Sequence, residues 1–246
     1  MLNLILENID KLDFTELSKN TNKNAMDLLL QYPDKINWAL LSTNINPIAI
    51  NLLIQNLDKV DWRFLSEYIN NDTMFLFEKN PDKINWNGLS LNPNSEAVLL
   101  LEQNLDKINW KWLSINPNPQ AILLLEQNLD KIDWIWLSGN RNADAITLLE
   151  QNLENINWKM LSSNPLAIKL LEQNQDKIDW DGLSQNTNDR AISLLEQNPQ
   201  NINWNRLSGN SSAFNLLEKN PDKIDWRYLS SNTNDDVWSD NSYVLK

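Results

Sequence analysis

Apolar and polar positions along this chain recur at a fixed spacing, and that recurrence is its strongest signal. One aromatic column runs Phe14, Trp38, Trp62, Trp86, Trp110, Trp134, Trp158, Trp180, Trp204, Trp226. Its members are 24 residues apart, except for 22 between Trp158 and Trp180 and between Trp204 and Trp226. Three residues after each aromatic comes Leu, from Leu17 to Leu229, and each Leu is followed by Ser. Roughly ten repeats of this kind fill the chain. The expected organisation is one repeat domain over 1–246: an N-terminal cap at 1–13, tandem helical hairpins at 14–231, and a C-terminal cap or tail at 232–246.

Spacing within a repeat predicts two helices. Trp110 and Leu113 share one helical face. Asn109 precedes that face as an N-cap, and Ile108 pairs with Leu113 as a hydrophobic staple. A short helix A is therefore expected near 109–115. Asn118 caps a second helix with Pro119 at its first position. Ala121, Ile122, Leu124 and Leu125 form the apolar stripe of this helix B. Asn128 ends it, where a left-handed backbone is expected. The two-residue deletions, before Ala167 and Ala213, fall in the A-to-B loop, where length is tolerated.

A 24-residue period also suits leucine-rich repeats, whose template wants apolar residues two before the Leu and two after the following Asn. Those columns hold Arg63, Asn87 and Lys111, and Asn94, Asn118 and Asn142. The template fails at both positions, while the helical one fails at none. The expected fold is all-α, an α-solenoid of about ten stacked two-helix repeats of 22–24 residues. No single repeat buries its own apolar face, so stacking builds the core. Leu2, Leu4, Ile5 and Leu6 are expected to cap one end, and Val237, Trp238, Tyr243 and Leu245 to fold over the other.

Composition narrows the chemistry. With 12 Trp the chain is too aromatic to be disordered. It has no His and no Cys, which excludes disulfides, the common zinc sites and triads of the Ser-His or Cys-His kind. A formal charge of −12 opposes general phosphate-backbone binding, so no nucleic-acid partner is expected. No apolar run is long enough to span a bilayer, and Met1–Asn8 lacks the basic flank of a targeting segment. The expectation is a protein of the cell interior, without membrane contact.

Repeats of the form Asp-Lys-Ile-Asn-Trp-x-x-Leu-Ser-x-Asn-Pro-x-Ala-Ile-x-Leu-Leu-Glu-Gln-Asn resemble the short tandem repeats of giant DNA viruses of the mimivirus-like groups. The resemblance covers residues 10–232. It implies an interaction or structural module without an assigned chemistry, placed in the host cytoplasm or the virion. Phe14 in the Trp column, the segment Glu67-Tyr-Ile-Asn-Asn-Asp-Thr73 and the two 22-residue repeats depart from the pattern.

Constant columns read as architecture. The Trp column could stack sugars or bases, yet its pairing with Leu in every repeat points to core. Glu78, Glu102, Glu126 and their equivalents, with Asp82, Asp106, Asp130 and theirs, form acidic ladders. Stacked repeats would hold equivalent carboxylates about 8–10 Å apart, too far to share one cation, so no metal or cofactor is expected. No carboxylate pair breaks the pattern as a glycosidase pair would, so no enzyme is expected and no catalytic residue is assigned. The Asn columns read as helix-end and turn residues rather than as a binding ladder.

Variable columns are where binding is expected. Two residues after the Trp stand Leu40, Phe64, Gly88, Trp112, Trp136, Met160, Gly182, Arg206 and Tyr228. A wheel turning about 100° per residue points this column away from the core. Either it faces solvent or it lies flat on the neighbouring repeat. The partner-binding candidates are Phe64, Trp112, Trp136 and Met160, rimmed by Arg63, Lys111 and Lys159. Phe75, Leu99 and Leu123 on helix B are candidates for self-association. The expected function is a non-enzymatic scaffold that binds a protein partner, or a copy of itself, through central repeats. The alternatives are a structural virion or assembly component and, remotely, a carboxylate-based hydrolase.

Overall fold

A computed structural model of the chain describes residues 7–68, 72–234 and 237. Among them are nineteen α-helices, ten three-residue 3₁₀ turns and no strand. The fold is an all-α repeat solenoid. A repeat runs 3₁₀ turn, helix A, helix B, except that residues 57–59 before Trp62 form a plain turn. In the repeat of Trp110 these are Leu105–Lys107, Trp110–Ile115 and Pro119–Glu126. The chain groups into two compact halves, Met1–Ala121 and Ile122–Lys246. Within each half, successive A helices pack on one another.

Capping follows the expectation. The side chain of Asn109 accepts from the Trp112 N–H at 3.2 Å, and that of Asn118 from the Gln120 N–H at 2.8 Å. The core is the Leu column with the helix B stripe: Leu113, Ala121, Ile122 and Leu125 are fully buried, and Leu124 and Ile108 nearly so.

Four expectations are corrected. First, the Trp column is not core. Trp38 through Trp204 are half-buried, while Leu and Ser on the same helix are sealed. The following repeat covers the indole: Lys59 Nζ lies 4.8 Å from the Trp38 ring. Trp226, in the last described repeat, is 67% exposed.

Second, Asn128 is not left-handed. No described non-glycine residue has a positive φ. Asn128 sits at φ −136°, ψ 53° and donates its Nδ2 to the Leu124 carbonyl at 2.8 Å. It closes the helix end with its side chain, so the backbone need not turn left, and a 3₁₀ turn follows directly.

Third, the other Asn column satisfies turn amides as expected, but it is also a buried hydrogen-bonded ladder between repeats. Asn116 Nδ2 donates to the carbonyls of Ser90 (3.0 Å) and Asn92 (2.8 Å), while its Oδ1 accepts from the Asn118 N–H at 2.9 Å. Ser runs beside it. Ser90 Oγ donates to the Trp86 carbonyl at 2.7 Å and accepts from the Asn109 N–H at 3.0 Å. Both side chains are buried, so each repeat fills the hydrogen-bonding capacity of its neighbour.

Fourth, each two-residue deletion removes the first turn of helix B as well as loop. After Trp158 a 3₁₀ turn, Pro165–Ala167, stands there, and the α-helix is only Ile168–Gln173. After Trp204 helix B is Phe214–Glu218.

The N-terminal cap residues Leu2, Leu4, Ile5 and Leu6, and Trp238, Tyr243 and Leu245 at the other end, lie outside the described residues. Val237 is half-buried.

Candidate functional site on the A helices

Helix A presents three outward positions, one, two and five residues after its Trp. Glycines report where the second of these points. A Cβ built on Gly88 would meet Glu67 Cγ at 2.8 Å and the Arg63 carbonyl at 3.4 Å. One built on Gly182 would meet the Lys159 carbonyl at 2.9 Å. The column therefore leans on helix A of the preceding repeat. Phe64, Trp112, Trp136 and Met160 are accordingly half-buried, lying along a neighbour with part of each side chain in solvent. Arg63, Lys111 and Lys159 are exposed, and Lys111 Nζ lies 5.6 Å from the Trp112 ring.

This leaning geometry leaves hollows. In the first half, one of ≈ 390 Å³ lies over Gly88, with Phe64, Glu67 and Leu91 around it and Trp112 on the far side. In the second half, one of ≈ 600 Å³ is lined by Asp181, Gln185, Asn205, Arg206, Gly209 and Tyr228. Both draw on the same positions of three successive repeats. A shallower hollow of ≈ 330 Å³ shares Glu67 with the first and adds Tyr68, Asn92, Pro93 and Asn94.

Tyr68 explains the shallow one. It stands where other repeats carry the buried Asn, and it is 56% exposed. The Asn ladder is thinner there: the bond Asn92 makes to the preceding repeat goes to the Ser66 carbonyl, at 3.0 Å.

Electrostatics around the first hollow are specific. Arg63 gives its guanidinium to Asp61, Nη2 to Oδ2 at 2.9 Å. That bond, with the backbone N–H groups of Phe64 and Arg63, holds the Asp61 carboxyl below the usual carboxylate range. Along the 3₁₀ turns the acidic ladder is matched by sequence neighbours, as in Asp106–Lys107 at 3.2 Å and Asp130–Lys131 at 3.1 Å. No three acidic side chains gather as a metal site among the described residues.

On helix B, Leu99 is 40% and Leu123 55% exposed, while Phe75 is half-buried beneath Lys79. No helix among the described residues is long and apolar enough to cross a membrane. Sequence reasoning missed Glu67, Leu91, Tyr68 and Gly88 as site residues. The available signal was that Gly88 interrupts a column of large side chains just after the repeat pattern itself breaks at Tyr68. Compared with known proteins, the chain matches no family model, no curated protein and no solved structure.

Proposed function

We propose that the chain is a non-enzymatic repeat scaffold that binds a partner protein along the outward face of its A helices. The observation that carries this is a contrast within one helix. The Leu and Ser columns are constant and buried, whereas the column two after the Trp swings from half-buried Phe64 through buried Gly88 to half-buried Trp112. Close-packed interiors resist such swings in volume. Half-exposed Trp, Phe and Met with an arginine beside them are residue types enriched at interface centres, and the lysines suit a polar rim.

Self-association through helix B is a second reading, favoured by the exposure of Leu99 and Leu123. One experiment separates the two. The tagged chain is used to capture partners from expressing cells, beside Trp112→Ala/Trp136→Ala and Leu99→Ser/Leu123→Ser, each checked for helicity by circular dichroism. Captured protein lost only with the Trp pair supports the A-helix face. Loss of an oligomer in sedimentation only with the Leu pair supports self-association. Retention of both properties in both variants overturns the assignment.

A further inference from the structure

The repeat of Trp62 departs from the pattern at Tyr68, and the following repeat departs from its neighbours at Gly88. Both departures open space around one side chain, Glu67. Its Cγ occupies the room a side chain at position 88 would need, 2.8 Å from the built Cβ. Glu67 is half-buried, and among the described residues its side chain makes no hydrogen bond or ion pair. Arg63, one turn earlier, feels its charge, but the guanidinium is committed to Asp61 at 2.9 Å. So a carboxylate stands on the divide between two hollows. Phe64, Leu91 and Trp112 lie on one side and Tyr68 and Pro93 on the other.

A partly desolvated carboxylate between apolar walls is complemented by a cation carried on an aliphatic stem, and aromatic rings nearby favour the same guest. A net charge of −12 draws basic segments to the chain. Side chains at alternate positions of an extended segment face one way. A segment of the pattern apolar-x-basic-x-apolar therefore turns all three side chains toward such a surface.

We propose that this double hollow binds an extended basic segment of a partner protein, its lysine or arginine meeting Glu67 and its flanking apolar side chains entering the two hollows. The proposal rests on the A-helix reading above and names the partner's chemistry. Its test is a selection of displayed random dodecapeptides against the whole chain. Affinity of the enriched peptides is then measured by fluorescence anisotropy for the native chain, Glu67→Gln and Trp112→Ala, with helicity checked for each. The expected result is enrichment of a lysine or arginine between apolar residues. Affinity should fall at least tenfold in each variant, and the Glu67→Gln loss should shrink as salt rises. Peptides that depend on Trp112 yet bind Glu67→Gln within twofold overturn the basic-segment assignment and leave the A-helix face standing. Peptides indifferent to both substitutions overturn both. No enrichment overturns the basic-segment assignment.

Discussion

The hollow over Gly88 and the hollow beside Arg206 occupy the same register of the repeat but differ in chemistry. Each lies over two successive A helices, with the outward side chain of a third repeat, Trp112 or Tyr228, at its edge. At Gly88 the missing side chain is the one two after the Trp, and Leu91 remains as an apolar wall. At Arg206 the missing side chain is Gly209, five after the Trp, and the surroundings are Asp181, Gln185 and Asn205. Fold geometry makes the hollow, and the residues at three columns set its chemistry. That separation lets surface chemistry vary between repeats while the buried Leu and Ser columns stay constant.

The comparison breaks first if the two frames are not alike. Leu89 and Leu207 are both fully buried at equivalent positions. Leu89→Ala and Leu207→Ala should each cost about 2–5 kcal/mol, within the range for buried Leu truncation. Urea unfolding followed by circular dichroism checks this. A cost below about 1 kcal/mol at either site would remove that helix from the shared core. Since contacts run between neighbouring repeats, the damaged segment can melt ahead of the rest.

A smaller effect tests the ladder. Asn210 donates to the carbonyls of Ser184 and Asn186 at 3.1 and 2.9 Å, and accepts from the Ser212 N–H at 2.9 Å. Asn210→Ala strands these buried groups and should cost roughly 1–3 kcal/mol. Among the described residues of the repeat before it, Asn92 bonds only the Ser66 carbonyl, beside the irregular Tyr68. Asn92→Ala should therefore cost less than Asn210→Ala. Equal costs would show that the break at Tyr68 does not loosen the first hollow's frame.

What could be read in the sequence follows from what spacing encodes. Trp110, Leu113 and the stripe Ala121–Leu125 announce two helices and their buried faces through periodicity alone, and capping residues announce where each begins. Spacing does not say how deep a residue sits, which depends on how much the next repeat covers. The Trp column therefore looks like core in the sequence but is half-buried in the fold. Nor does it say to which repeat a buried amide reaches: Asn116 looks like a turn residue until the carbonyls of Ser90 and Asn92 are brought to it. The hollows were legible only as a volume swing at Phe64, Gly88 and Trp112. Glu67 was not legible, because its isolation depends on Arg63 bonding to Asp61 instead.

Glycine substitutions sharpen the comparison at finer scale. At Gly182 a Cβ would sit 2.9 Å from the Lys159 backbone carbonyl. Backbone cannot swing aside, so Gly182→Ala should destabilise by roughly 1–2 kcal/mol after the usual helical gain is offset. At Gly209 the nearest atoms are at 3.5 Å, and the backbone is right-handed at φ −84°, ψ −4°. Gly209→Ala should stabilise by about 0.4–1 kcal/mol through the unfolded chain. Thermal midpoints moving in opposite directions are the expected outcome. A shared sign would mean that the approach of successive A helices does not set the depth of these surfaces.

The smallest expected effect concerns acid. In the first half, Asp61 is followed two residues later by Arg63, which holds its carboxyl below the usual carboxylate range. In the second half, the corresponding N-cap Asp179 is followed by Asp181, with no arginine in that place. A carboxyl lowered in the folded state contributes stability that is fully present above the unfolded value, about 3.9. That contribution fades as pH falls through the lowered folded value. Arg63→Gln should therefore lower the urea midpoint slightly at pH 7, and the difference from the native chain should close as pH falls through the lowered folded value. Convergence for Arg63→Gln would tie the guanidinium to Asp61 in solution. Parallel curves for Arg63→Gln would mean that the guanidinium is not held there.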